Sequence, residues 1–269
     1  MFKNLLNAID TISIIATLHR VKLEMVKLGL EFENEISESL IKRFKREIQK
    51  GKKVDTDIYE LQVIKISKAK SIIGYLLVKK NPLSVGTSKK QKRSKDHKRE
   101  LIFAGLHQPH LKTNQEHIKN SFSVIAELIT DCKVNSIDFS VDGYSTIPIV
   151  KHQISYLNYV FRDYVNHLSR VEHFENSYYI NNPLSPYNLN FEFERVLVYD
   201  KCLKHKLNGK YLNWKRLEVT VKINNQKLSA SLLFEIQESV SHLSLCFFNE
   251  FYYDAEPLKK QIELMKIRD

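Results

Sequence analysis

Apolar residues recur at two different periods along the chain, and each period predicts a different kind of element. In the opening segment they recur every three or four residues, which predicts a helix capped by Asp10. The positions concerned are Ile12, Ile15, Leu18, Val21 and Met25. A second, charged helix is predicted after Gly29, as far as about residue 50. Further helices are predicted at 114–129, at 149–168 and from 257 to the end.

Alternation of apolar and polar residues predicts strands in other segments. The clearest case is 134–142, where Ile137, Phe139 and Val141 point to one side of the strand and polar residues lie between them. Short strands are also predicted at 61–66, 72–78, 101–104 and 177–180, and long strands at 191–201 and 214–223. This order favours an α+β fold, with a mostly antiparallel sheet packed against helices and a basic helical N-terminal region. We predict two domains, 1–100 and 101–269, divided near a lysine-rich loop.

Composition narrows the class of protein. The chain has 269 residues, of which 43% are hydrophobic, and this is enough to form a packed core. No apolar run reaches the ~18 residues that a membrane span needs, so no membrane association is expected. Cys132, Cys202 and Cys246 form no CxxC pair, which indicates neither a structural zinc site nor a disulfide framework. We therefore expect a cytoplasmic protein.

The positive charge of the chain is concentrated in its first part. Residues 1–120 contain 25 Lys or Arg and 13 Asp or Glu, whereas residues 121–269 contain 17 and 18. The densest segment is 79–99, and a phosphate backbone attracts such cations through the release of counterions. The predicted DNA-binding residues are Lys79, Lys80, Lys89, Lys90, Lys92, Arg93, Lys95, Lys98 and Arg99. The alternative explanation of this segment is a solvated loop that binds nothing.

An Asn-Gly pair at 208–209 lies between two predicted strands and is a strong hairpin pattern. A two-residue turn at this point pairs residues whose numbers sum to 417. Tyr199 would then lie opposite Glu218, and Lys201 opposite Arg216. Because side chains alternate along a strand, all four would project from one face of the sheet.

A tyrosine beside two cations and a carboxylate suits attack on a phosphodiester. The phenol has a pKa of ~10, so its hydroxyl is a weak nucleophile unless positive charge or a metal favours the phenolate. Lys201 and Arg216 would supply that charge, and Tyr199 would attack. These are the parts of a DNA-nicking site. The alternative is ordinary cross-strand pairing, in which Glu218 bridges one of the cations and the tyrosine only packs.

The non-bridging oxygens of a phosphodiester are commonly neutralised by a divalent ion held on carboxylates. The predicted ligands of Mg²⁺ or Mn²⁺ are Asp138, Glu218 and Asp142. On a straight strand Asp138 and Asp142 would lie ~13 Å apart, so only one of them is expected to bind the ion directly. We prefer Asp138, because Asp142 precedes Gly143 and also suits a turn.

Three short motifs together resemble those of the rolling-circle replication initiators of small plasmids and filamentous phages. They are Ser-Ile-Asp-Phe-Ser-Val-Asp at 136–142, Val-Tyr-Asp-Lys at 198–201 and Arg-Leu-Glu-Val-Thr-Val-Lys at 216–222. The resemblance implies a protein that recognises an origin in DNA, nicks one strand through a tyrosine, stays attached to the 5′ phosphate and uses a divalent metal. It matches Tyr199 to the nucleophile, Lys201 to its neighbour, Glu218 to an acidic site residue and Asp138 to the acidic strand.

Other classes of function stay open. One is a non-catalytic DNA-binding initiator or regulator on the same scaffold, and another is a structural or host-interaction protein. A nuclease with a His-hydrophobic-His metal site is disfavoured, because the segment 107–110 has the wrong spacing and contains a proline. Glycine-rich phosphate loops are absent, so ATP or a dinucleotide is not expected. The sequence leaves open the origin, the formation of a homodimer and the need for a host helicase.

Overall fold

The computed structural model describes residues 9–27, 59–66, 71–79, 98–107, 115–185, 190–206, 212–224 and 227–248. The chain forms two compact units, one of residues 11–134 and one of residues 1–10 together with 135–269. The boundary predicted after residue 100 falls inside the first of these units. The helices predicted at 30–50 and 257–269, and most of the basic segment 79–99, lie outside the described residues.

The first unit contains antiparallel strands and two described helices. The strands are β1 (Ile9–Thr17), β2 (Tyr59–Ile66), β3 (Ser71–Lys79) and β4 (Lys98–Ala104), and the helices are α1 (Leu18–Lys27) and α2 (Gln115–Asp131). The strand order is β2-β3-β4-β1. Helix α2 packs against α1 and β3. The predictions of strands at 61–66, 72–78 and 101–104 and of a helix at 114–129 are confirmed.

The prediction of a helix from Asp10 to Met25 is wrong in its first half. Residues 9–17 form strand β1, and the helix begins only at Leu18. Ile12, Ile14 and Ala16 are buried, and this spacing of two residues is the one that a strand requires. The segment is rich in Ile and Thr, whose branched side chains favour strands over helices.

The second unit contains the sheet that positions the candidate site. Its strands are β5 (Lys133–Tyr144), β6 (Arg170–Phe174), β7 (Ser177–Asn181), β8 (Phe191–Asp200) and β9 (Trp214–Ile223). Its helices are α3 (Ile154–Val160), α4 (Lys201–His205) and α5 (Ala230–Phe248). The strands pair antiparallel in the order β5-β9-β8-β7-β6. The strands predicted at 134–142, 177–180 and 214–223 are confirmed, with longer bounds.

One face of this sheet holds the apolar core. Leu217, Val219 and Val221 of β9 are all fully buried on that face. Helix α5 packs against β9. At Gly143 a Cβ atom would lie only 2.6 Å from Cε1 of Phe248, so the glycine permits this close approach. The alternation of the sequence therefore assigns the apolar and polar faces correctly.

The continuous helix predicted at 149–168 is broken in the structure. Helix α3 covers only Ile154–Val160, and short 3₁₀ turns flank it at Lys151–Gln153 and Arg162–Tyr164. Phe161 leaves the helical conformation and stacks with the ring of Tyr178, at a centroid separation of 5.7 Å. Aromatic residues have low helix propensity, and here packing on the sheet decides their position.

The described part of the chain is an α+β protein with antiparallel strands and packed helices, as predicted. Among its helices none combines the length and the apolar character that a membrane crossing requires.

Candidate functional site

The register of β8 and β9 differs from the predicted one by two residues. Tyr199 lies opposite Arg216, and Leu197 lies opposite Glu218. The cause is helix α4, which follows Asp200 directly, so the two strands are joined by a connection longer than a two-residue turn. The pairing based on a turn at 208–209 is therefore wrong, although residues 207–211 themselves lie outside the described part.

The shift of two residues preserves the predicted face. Side chains alternate with a period of two, so an even shift leaves Tyr199, Arg216 and Glu218 on the same side of the sheet. Strand β5 adds Asp142, which lies opposite Arg216, and Asp138, which lies opposite Thr220. Three motifs from distant parts of the sequence thus meet on one polar face.

Arg216 is the centre of this polar face. Its guanidinium is fully buried and donates from Nε and Nη2 to the two carboxylate oxygens of Asp142, each at 2.7 Å. Its Nη1 lies 3.5 Å from Oδ1 of Asp10 and 3.9 Å from Oε1 of Glu218. Burial disfavours the charged guanidinium, but the hydrogen bonds to Asp142 outweigh it and raise the pKa of Arg216. The guanidinium of Arg216 is therefore a permanent cation at the centre of the polar face.

Tyr199 is buried in this structure, with 3% of its surface exposed. Its hydroxyl donates to Oε1 of Glu218 at 2.8 Å. Burial and the negative charge of Glu218 raise the pKa of the phenol, and the charge of Arg216 only partly opposes them. The ammonium of Lys204 lies 4.0 Å from the centre of the tyrosine ring. The phenol is thus neutral at rest, with a carboxylate in place to accept its proton.

Lys201 is not on a strand as predicted, because β8 ends at Asp200 and Lys201 is the first residue of α4. Its side chain is nevertheless part of the same cluster. Nζ lies 5.8 Å from the centre of the Trp214 ring, and it is buried without a hydrogen-bond partner. Burial and the charge of Arg216 lower the pKa of Lys201 to about 8.

Two hydroxyls on the same polar face are, like Nζ of Lys201, buried without a hydrogen-bond partner. Ser140 lies opposite Glu218 and Thr220 lies opposite Asp138. Both hydroxyl oxygens are buried and lack a hydrogen-bond partner. Buried polar atoms are normally paired, so these positions suit a bound polar group.

The predicted metal ligands do not fit a divalent ion in this arrangement. Both oxygens of Asp142 accept hydrogen bonds from Arg216, and Glu218 accepts the hydroxyl of Tyr199. Asp138 lies opposite Thr220, away from the pair that Asp142 forms with Arg216. Within the described residues, no group of three His, Cys, Asp or Glu side chains is placed to hold a metal ion. Binding of Mg²⁺ or Mn²⁺ stays a prediction that these side chains do not support.

Two acidic residues were not predicted: Asp10, which lies at the site, and Asp200, which projects from the opposite face of the sheet. Asp10 was interpreted as a helix cap, but it lies on β1 and reaches Arg216. Asp200 caps α4 by accepting a hydrogen bond from the backbone N–H of Leu203 at 2.8 Å, and it also pairs with Lys215. Aspartate is a preferred N-cap residue, so the capping role of Asp200 could have been found from the sequence.

The predicted DNA-binding residues fall mostly outside the described part. Lys79 ends strand β3, and Lys98 and Arg99 begin β4, where they pair with Thr17 and Ala16 of β1. The six other cations of this set lie between 80 and 95 and are not described. Their role in DNA binding stays a prediction.

Comparisons with known proteins find a likeness among solved structures. No family model matches the chain, and no curated protein does. Among solved structures, the chain is similar to the rolling circle replication initiator protein from Geobacillus stearothermophilus, with 12% sequence identity and a TM-score of 0.38. The match covers 85% of this chain and 78% of that chain. A likeness this slight carries no argument about function, which depends on the residues of the site.

Proposed function

We propose that this chain is a DNA-binding replication initiation protein of a plasmid or phage, and that it nicks one strand at an origin through Tyr199. The observation that carries the proposal is the convergence of the motif-bearing strands. Strands β5, β9 and β8 are consecutive neighbours, and Asp142, Arg216, Glu218 and Tyr199 share one face. The basic first part of the chain adds the charge that DNA binding needs.

The nicking step transfers a phosphoryl group from DNA to the tyrosine. Glu218 accepts the proton of the Tyr199 hydroxyl, and the phenolate oxygen attacks phosphorus. The bond between oxygen and phosphorus forms as the bond from phosphorus to the 3′ oxygen breaks, and the 3′ oxygen takes a proton from water. Arg216 and Lys201 stabilise the negative charge that develops on the phosphate oxygens. The product is a 5′ phosphate joined to the protein.

Access to the tyrosine requires a local movement. The ring of Tyr199 is almost completely covered, and Lys204 is the neighbour that lies over it. A phosphate that attracts the Lys204 ammonium would draw it off the ring and uncover that face of the tyrosine.

A second candidate is a DNA-binding initiator or regulator that does not cut. The burial of Tyr199 and its raised pKa favour this alternative, because both oppose formation of a phenolate. Asp142, Arg216, Glu218 and Tyr199 would then stabilise the sheet, while other residues bind DNA.

Cleavage of DNA distinguishes the two candidates. Supercoiled plasmid that carries the coding DNA with its flanking sequences is incubated with the protein, with and without Mn²⁺. We expect conversion to the open circle by the parent protein and loss of this activity in Tyr199→Phe. Tyr159→Phe is the matched control, because Tyr159 lies in the same unit and is exposed. Binding of the plasmid without any nicking would exclude the first candidate and support the second.

A further inference from the structure

Helix α4 presents basic side chains directly beside Tyr199. Lys201 and Cys202 are buried on one side of this short helix, and the next four residues, 203–206, are all exposed. Among them are Lys204 and Lys206, while Lys204 also contacts the tyrosine ring. The second unit therefore has a positive surface at its candidate site, although its sequence is close to neutral overall.

The position of α4 is fixed by buried contacts. Asp200 accepts a hydrogen bond from the N–H of Leu203 and forms a buried ion pair with Lys215 of β9. The helix ends at His205, and the capping residue Lys206 adopts the left-handed conformation at φ 53° and ψ 43°. Anchored at its N-terminal end in this way, the helix fixes the backbone positions of the exposed lysines before any ligand arrives, which lowers the entropy cost of binding.

The two exposed lysines have no carboxylate partner. In the described part of the chain, neither Lys204 nor Lys206 lies within ion-pair distance of an Asp or Glu, whereas Lys215 and Lys222 each do. Cations without a carboxylate partner are available to an anionic ligand. A phosphate backbone matches them, because it presents negative charges in a row.

We propose that the exposed lysines at the C-terminal end of α4, Lys204 and the capping residue Lys206, bind phosphates of the DNA strand that lies over Tyr199. This inference rests on the proposed function. It adds a second DNA contact to the one predicted for residues 79–99, and it assigns that contact to the unit that contains the tyrosine.

The test measures DNA affinity as a function of salt. Fluorescence anisotropy with a labelled single-stranded 30-mer and with the corresponding duplex compares the full-length parent with the double variant Lys204→Gln/Lys206→Gln. We expect weaker binding of the strand that contacts the site and a salt dependence whose slope falls by about 1.4 for a single strand or about 1.8 for a duplex, since each of the two lost phosphate contacts removes about 0.7 to 0.9. The control is Lys151→Gln/Lys227→Gln, which removes the same charge from two exposed positions of the same unit.

Each outcome decides the proposal. A slope reduced in the α4 variant and unchanged in the control supports it, and the arm that changes identifies single-stranded or duplex DNA as the ligand. Equal slopes for the two double variants would overturn the α4 contact while leaving the proposed function intact. If the parent protein binds neither probe at low salt, DNA binding itself fails and both proposals fall. Urea unfolding of the double variants verifies that both are folded.

Discussion

Replacing Asp142 by Asn perturbs the polar face at its most buried contact. Asp142 accepts two hydrogen bonds from Arg216 at 2.7 Å, and the arginine side chain has no exposure to solvent. Removing one partner of a buried ion pair leaves an uncompensated charge, which costs about 3 to 5 kcal/mol. Asparagine keeps the shape and one acceptor oxygen, so we expect the free energy of unfolding to fall by about 3 kcal/mol.

Urea unfolding followed by tryptophan fluorescence measures this loss. The chain has a single tryptophan, Trp214, which is buried at the start of β9 two residues from Arg216. The control is Glu192→Gln, which breaks an ion pair with Lys222 between β8 and β9 whose side chains are about half exposed. An exposed pair contributes at most about 1 kcal/mol. If the two substitutions cost the same, the Asp142 pair is not the buried contact that the site depends on.

Three further predictions concern the same unit. Lys201→Met should stabilise the protein at pH 7 by about 3 kcal/mol, because it removes a buried lysine whose pKa is lowered to about 8. Between pH 8 and 10 the unfolded parent chain binds more protons than the folded one, so the parent should gain stability as pH rises and the variant should not. Urea unfolding of both proteins across this pH range measures the difference. Gly143→Ala should destabilise by about 1 to 3 kcal/mol, since the added methyl group meets the ring of Phe248; a thermal melt that matches the parent would contradict this close contact. Mn²⁺ at millimolar concentration should leave the unfolding free energy unchanged, because both oxygens of Asp142 and Oε1 of Glu218 already accept hydrogen bonds. A metal-dependent increase that disappears in Glu218→Gln would show instead that the predicted ligands do bind metal.

The strands of the second unit are well predicted because hydrophobic and polar residues alternate along them. Alternation along 134–142 and 214–223 separates an apolar face from a polar one, and the structure has the same division. That face assignment survives the error in register, since the error is an even number of residues. The prediction of which side chains share a surface is therefore more robust than the prediction of which ones lie directly opposite.

The roles of individual residues could not be predicted in the same way. Asp142 was assigned to a metal because the sequence gives no sign that Arg216 lies across from it, which depends on the pairing of β5 with β9. Asp10 was assigned to a helix cap because Ile12, Ile15 and Leu18 also fit a helical period. Burial of Tyr199 depends on α4, whose five residues are too few to show a period of their own.

The most direct test of the central claim is the identity of the residue that becomes joined to DNA. The protein is incubated with end-labelled single strands from the DNA around its coding sequence, denatured and digested, and the phosphopeptide is mapped by mass spectrometry. We predict a phosphotyrosine adduct at Tyr199 that is absent in Tyr199→Phe and present in Tyr159→Phe. An adduct at another tyrosine, such as Tyr187 or Tyr211, or strand cleavage that leaves no adduct, would contradict the assignment of Tyr199 as the nucleophile.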